Sequence, residues 1–240
     1  MADLHIHTVL SPCAAEQMTP KAIVCEALDR GLAMIAVCDH NAAANAAATQ
    51  RAAKGMLAVL AGIEITTSEE VHLVGLFPSA AHACRVADQV RSSLPDLVER
   101  TKWMGEQRIV DAAGRTRARD PKMLASASSL PLTDAVALVH AHAGLAIAAH
   151  LDRPSFSVLS QLGMMPEGLE LDAVEVSPAG LRRGKHVEFA PMGWAIVCSS
   201  DAHSLDEVGD GRTVFEVQDA SFEEVRKALR SEDGRRCRVA

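Results

Sequence analysis

Six short stretches of the 240-residue chain attach histidine, aspartate or glutamate to an apolar run. They read LHIH, VCDH, GIEIT, EVHLVG, AIAAH and CSSDAH, and they contribute His5, His7, Asp39, His40, Glu64, His72, His150, Asp201 and His203. In an extended segment side chains alternate between two faces, so His5 and His7 share one face and Leu4 and Ile6 the other. If these groups gather in space they do not form a dry core, because each unpaired ionisable group would cost several kcal/mol to bury. Neutral imidazole and carboxylate are donors for divalent zinc, iron and manganese. A carboxylate such as Glu64 can bridge two ions, and ions about 3.5–4 Å apart can share a hydroxide and clamp both oxygens of a displacement. The chemistry these residue types allow is metal-assisted hydrolysis.

Something must bring residues so distant in sequence together. TPKAIVCEALDRGL reads as a helix, with Thr19 before Pro20 at its start and Gly31 as its stop. AMIAVCDH then reads as a buried strand, residues 45–54 as an Ala-rich helix, and MLAVLAGIEIT as another strand, with EVHLVGLF pairing beside it. Later strands are LAIAAH, DAVEVS, AIVCSSDAH and TVFEV, and the helices SAAHACRVADQVRSSL, LTDAVALVHAHAG and SFEEVRKALR fall among them. Such alternation predicts an α/β fold with a parallel sheet, as a barrel or an open sheet. In those architectures the C-terminal ends of the strands converge on one face, where function sits. The stretch from about 95 to 132 is less regular and more charged. It reads as an insertion in a single domain spanning 1–240, and Lys102, Trp103, Arg108, Arg115, Arg117 and Arg119 suit it to a lid or a partner surface.

Composition narrows the classes. A net charge of −7 and the lack of a long basic run argue against broad non-specific duplex binding. A phosphate held by metal ions stays compatible, since the ions bring their own charge. Nearly half the residues are hydrophobic but aromatics are scarce and tyrosine is absent. The core is therefore expected to be Ala, Val, Leu, Ile and Met, with few platforms for long single strands. The six cysteines contain no CxxC pair and are expected to be reduced. Cys38 and Cys198 read as buried strand packing. The DLHIH motif starts at Asp3, leaving no room before it for a signal h-region, and no apolar run reaches transmembrane length. A cytoplasmic protein with no membrane partner is expected. His82 and His186 read as surface residues, and His140 and His142, two apart on a helix, do not share a face.

In this order the motifs resemble the PHP family, named for polymerase and histidinol phosphatase. DLHIHT matches its first motif, VCDHN its second, AAH its third and SDAH its fourth, with GIEIT and VHLVG at the intermediate glutamate and histidine. The resemblance runs from Asp3 to about His203. It implies a distorted (β/α)7 TIM-like barrel, three divalent ions drawn from zinc, manganese and iron, and hydrolysis of a phosphomonoester or phosphodiester. The substrate class it implies is a small phosphorylated metabolite, a nucleotide or a short nucleic-acid end. Carried over by position, a first ion takes His5, His7, Glu64 and Asp201. A second takes Glu64, His72 and His150, and a third takes His40, His203 and one residue of the loop after the first strand. Asp39 then orients a ligand or supplies a proton to the leaving group. That loop departs from the family: it reads SPCAAEQMTP where SDG is common, with Pro12 in place of the aspartate. Counting back from TP makes Glu16 the expected loop ligand, with Cys13 next. Arg153, just beyond His150, is placed to grip a phosphate, and Arg182, Arg183 and Lys185 form a short basic patch. Two rivals are an amidohydrolase-type metal hydrolase, which typically adds a mid-barrel lysine where this chain has Glu64, and a metal-binding regulatory PHP module without turnover.

Overall fold

A computed structural model describes residues 1–97 and 104–240, so Lys102 and Trp103 of the expected insertion lie outside the described residues. The strands are β1 (Ala2–Ile6), β2 (Met34–Val37), β3 (Ala58–Thr66), β4 (His72–Phe77), β5 (Arg108–Val110), β6 (Thr116–Arg119), β7 (Leu145–Ala148), β8 (Ala173–Val176), β9 (Ala195–Cys198), β10 (Thr213–Glu216) and β11 (Arg236–Val239). The helices are α1 (Pro20–Asp29), α2 (Ala46–Ala53), α3 (Ala80–Arg91), α4 (Leu132–Ala141), α5 (Val158–Leu162), α6 (Pro178–Arg182), α7 (Lys185–Phe189) and α8 (Phe222–Leu229). Among the described residues no helix is long and apolar enough to cross a membrane.

One sheet runs in the order β11-β10-β1-β2-β3-β4-β7-β8-β9. The pairs β1–β2, β2–β3, β7–β8 and β8–β9 are parallel. The seven strands from β1 to β9 in this order curl into a nearly closed barrel. The gap between β1 and the segment after β9 is spanned by a parallel bridge from Ile6 to Ala202, with His7 N donating to Ala202 O at 2.9 Å. The buried Asp3 carboxylate reinforces this seam by accepting from Ser200 N (3.0 Å), Ser200 Oγ (2.6 Å) and Gly209 N (2.8 Å). The β10–β11 hairpin attaches to β1 outside the barrel. Helix α1 buries Pro20, Ile23, Val24 and Ala27, one stripe of a 3.6-residue period, against the Ile35 face of β2.

Two features differ from a purely parallel reading. Strand β4 is antiparallel to both β3 and β7. The link Thr67–Val71 is too short for a crossover helix, so the chain must turn back. Because β4 runs in reverse, its first residue, His72, lies at the rim where the parallel strands end, opposite Thr66. The second feature is an irregularity in β1 between Asp3 and Ile6. A bulge offsets the alternation by one residue. Leu4 joins the cluster of Met34, Ala36, Leu60, Val74 and Leu76, while Ile6 joins Ile23, Val24 and Ile35. The expected shared face of Leu4 and Ile6 is therefore not formed.

Between residues 95 and 132 the described part contains the antiparallel pair β5–β6, more regular than the sequence suggests. Asn45 ties it to the site loop, accepting from Val110 N and donating to Thr8 Oγ1 and Arg108 O. Its arginines are already paired, Arg115 and Arg117 with Asp111 and Arg119 with Glu106.

Candidate metal centre

At the rim, β1 ends in His5 and His7, β2 leads to His40, β3 carries Glu64, β4 begins with His72, β7 leads to His150, and β9 leads to Asp201 and His203. The other seven side chains gather around Glu64, which is fully buried. Glu64 Oε1 lies 2.8 Å from His72 Nδ1, 3.4 Å from His5 Nε2 and 3.5 Å from His150 Nε2. Glu64 Oε2 lies 2.8 Å from His40 Nδ1 and 3.3 Å from His7 Nε2. Asp201 Oδ1 is 2.9 Å from His7 Nε2 and 3.4 Å from His5 Nε2. His203 stacks on His7, with ring centroids 4.0 Å apart. His150 and Asp201 hold left-handed backbone angles, φ +28° and +53°. Such strain costs about 1–3 kcal/mol per residue and is retained where the surroundings enforce a functional geometry.

Three groups present donor atoms within 4.8 Å of one another: His5, His7, Glu64 and Asp201; His40, Glu64 and His72; and His7, His40 and His203. The first quartet is the set expected for one ion. The others divide the residues differently from the expectation, with His40 beside Glu64 and His72. Both Glu64 oxygens and the Nδ1 atoms of His40, His72 and His150 are buried without a hydrogen bond, although two of these atoms lie 2.8 Å from Glu64. Lone pairs converging this closely without hydrogen-bond geometry suit cations, which the donor set of imidazole and carboxylate also fits.

The electrostatics agree. Burial alone would lower the pKa of His7, but its hydrogen bond to Asp201 and the nearby Glu64 charge outweigh this and raise it to about 9. Burial likewise opposes protonation of His40, which Glu64 chiefly restores, to about 9. Burial would raise Glu64, yet His72, His5 and His40 hold it well below the usual carboxylate range. His203 falls to about 3 through burial and the neighbouring His7.

A surrounding layer sets ring orientation. Glu175, on β8, places Oε1 3.1 Å from His5 Nδ1 and accepts His150 N at 3.1 Å. An ionised carboxylate only accepts, so the His5 proton sits on Nδ1 and Nε2 faces the cluster. Ser11 Oγ donates to Asp39 and stands 2.8 Å from His7 Nδ1, which must then donate to it. His203 Nδ1 donates to Asp201 O at 2.8 Å. The sequence reading missed Glu175 and Ser11. The signal for Glu175 was present in AVEV, a lone acid inside a buried strand.

Several expected residues sit elsewhere. Glu16 is not at the cluster: its exposed carboxylate meets Arg108 NH2 at 2.6 Å, because the loop turns this side chain toward the hairpin. Cys13, three residues earlier, hydrogen-bonds to the His40 side chain. Asp39 is fully buried and accepts from Thr8 N, Thr8 Oγ1 and Ser11 Oγ at 2.7 Å each, so it acts on the loop and, through Ser11, on His7. Arg153 NH1 reaches Asp201 Oδ2 at 2.5 Å. With Arg182 and Arg183 it lines a cleft of about 450 Å³ that borders Asp201. His140 and His142 bond to Asp172 and Gln89, away from the centre. Cys38 and Cys198 are buried, and burial pushes the Cys198 thiol up to about 12.

Residues 190–233 match the PHP-associated family. The barrel superposes on endonuclease Q of Pyrococcus furiosus with a TM-score of 0.72 at 20% identity, over 98% of this chain and 57% of that one. The chain thus spans 57% of the length of endonuclease Q, an enzyme also solved with a 27-mer duplex bearing an abasic lesion at its active site. A protein of Bifidobacterium adolescentis provisionally assigned as a metal-dependent phosphoesterase matches with a TM-score of 0.59 and 22% identity, over 96% of each chain. An amidohydrolase of Chromobacterium violaceum, solved with sulfate and no metal, matches with a TM-score of 0.60 and 20% identity, over 87% of this chain and 89% of that one. No curated protein is found to match the chain by sequence. At these identities the structural likenesses establish the fold.

Proposed function

We propose that this chain is a divalent-metal-dependent phosphoesterase of the PHP family that hydrolyses a phosphomonoester or phosphodiester of a small metabolite, a nucleotide or a nucleic-acid end. The observation that carries the reading is the convergence of six histidines and Asp201 on a buried Glu64 whose two oxygens lack hydrogen bonds. Three ions, of zinc, manganese or iron, would share this donor set, each neutral imidazole giving its one lone pair to one ion, with the Cys13 side chain in place of Glu16 as the loop's contribution beside His40. Bound there, such ions supply Lewis-acid charge and lower the pKa of water.

The chain's own residues have separate tasks. Glu64 belongs to two donor groups and would be the carboxylate shared between two ions. Glu175, Ser11 and Asp39 hold the rings of His5 and His7 in the tautomer that turns Nε2 inward. Arg153 is about one-third exposed, and its guanidinium has donors beyond the one on Asp201, so it grips a phosphate at the cleft. The endonuclease Q complex supports a nucleic acid among the substrates. A second reading, amide or lactone hydrolysis, draws on the Chromobacterium neighbour. However, the strands β1, β2, β3, β4, β7, β8 and β9 carry no lysine, and the matching position is Glu64. The deciding experiment loads metal-free protein separately with manganese, zinc and iron(II) and assays phosphomonoesters, phosphodiesters, amides and lactones. Release of phosphate or of an ester alcohol that requires added metal is expected. Turnover of amides or lactones alone, or none in any loaded form, would overturn the proposal.

A further inference from the structure

The loop after β7, residues 150–157, reads HLDRPSFS and spans the mouth of the centre. Arg153 rests on Asp201 at one side, and the Phe156 ring lies on the His72 ring at the other, with centroids 4.6 Å apart and planes 20° apart. Phe156 is 39% exposed and is the one phenylalanine or tryptophan exposed among the described residues. Its backbone is left-handed, φ +58°, a conformation that bulky residues rarely adopt. The loop is pinned in this state: His72 N donates to Phe156 O at 2.8 Å, and Ser157 Oγ donates to Arg153 O at 2.9 Å. A chain so poor in aromatics thus holds one out of its core, in a strained conformation, three residues from its candidate phosphate-gripping arginine. One ring face lies on His72, and the residue stays exposed beside that ring.

We infer that Phe156 is a specificity-determining residue whose other ring face stacks on a planar ring in the substrate, as a nucleobase does, while the phosphate lies at the donor groups and Arg153. Stacking of this kind tolerates any base, since every base has a π-face. The inference rests on the phosphoesterase reading for the placement of the phosphate, but ring recognition can be measured without turnover.

The test uses the full metal-loaded chain with adenosine 5′-monophosphate and ribose 5-phosphate, which differ by the base alone. A short oligonucleotide with a terminal phosphate separates a free nucleotide from a chain end. Affinities are measured by calorimetry, hydrolysis in parallel, and metal content by elemental analysis, for wild type, Phe156→Ala and Phe156→Tyr. The wild type is expected to bind the nucleotide at least about fivefold more tightly than the sugar phosphate. Phe156→Ala should remove most of that preference with its metal content intact, and Phe156→Tyr should keep it. Equal affinities in the wild type, or a Phe156→Ala variant that loses metal or weakens both ligands alike, would overturn the inference and make Phe156 a cover for His72. Preference without hydrolysis refutes the phosphoesterase reading and leaves ring recognition standing; hydrolysis without preference does the reverse.

Discussion

Removing the Glu175 carboxylate tests whether the residues behind the donor atoms govern metal affinity. Glu175 is buried, lies 3.1 and 3.3 Å from His5 Nδ1 through its two oxygens, and accepts His150 N. In Glu175→Ala the His5 ring loses the acceptor that fixes its proton on Nδ1, and two buried donors lose their partner. A hydrogen bond to a charged group contributes about 1.5–3 kcal/mol. At about 1.4 kcal/mol per tenfold, metal affinity should fall about 10- to 100-fold, the range typical of outer partners of ligating histidines. Glu175→Gln keeps an acceptor oxygen for His5 but no charge, so its loss should lie near tenfold. Chelator competition with zinc or manganese reads the affinity directly, and circular dichroism checks that both variants fold. A folded Glu175→Ala variant that binds metal within twofold of wild type would refute the assignment of His5 orientation to this carboxylate.

Other outcomes follow from the same geometry. In metal-free protein His7 and His40 titrate near 9, above the usual histidine value of about 6.5. A raised pKa contributes stability that is fully present below about 6.5 and is lost as pH rises through about 9, so the urea midpoint in chelator should fall between pH 6.5 and 9.5. A midpoint that rises across this window contradicts the pairing of these rings with Glu64 and Asp201. Cys13→Ser should lower the ions bound per chain from three toward two, read by elemental analysis after dialysis, whereas Glu16→Gln should leave the number unchanged. Gly211→Ala would put a methyl 2.2 Å from the Ser199 backbone, just ahead of Asp201. At about 1–3 kcal/mol for overpacking and about 2–4 °C per kcal/mol, its Tm should drop by about 2–12 °C; an unchanged Tm would show that this close approach is not rigid.

The donor residues were legible because a buried run that ends in histidine or aspartate is chemically odd wherever the strand lies. The barrel follows from the alternation of strands and helices. What the sequence hid was set by pairing. The reversal of β4 depends on a short link, and it puts His72 at the start of a strand rather than at an end. The bulge in β1 separates Leu4 from Ile6, yet a period-two pattern shows no sign of it. Glu16 looked like the loop ligand by count, but side-chain direction is decided by what each residue meets, and Glu16 meets Arg108. Glu175 carries its signal in plain view, and only its distance to His5 reveals its task.

The seam between β1 and the segment after β9 has a consequence for the order of events in the cell. His7 and Asp201 are 194 residues apart in the chain, yet they are opposite lips of one donor group. A nascent chain cannot present that group until the ribosome has released both lips and the barrel has curled shut. On the proposed metal reading, the first ion would therefore meet a folded rim of fixed spacing rather than loose histidines emerging one at a time, and loading would belong to the end of folding.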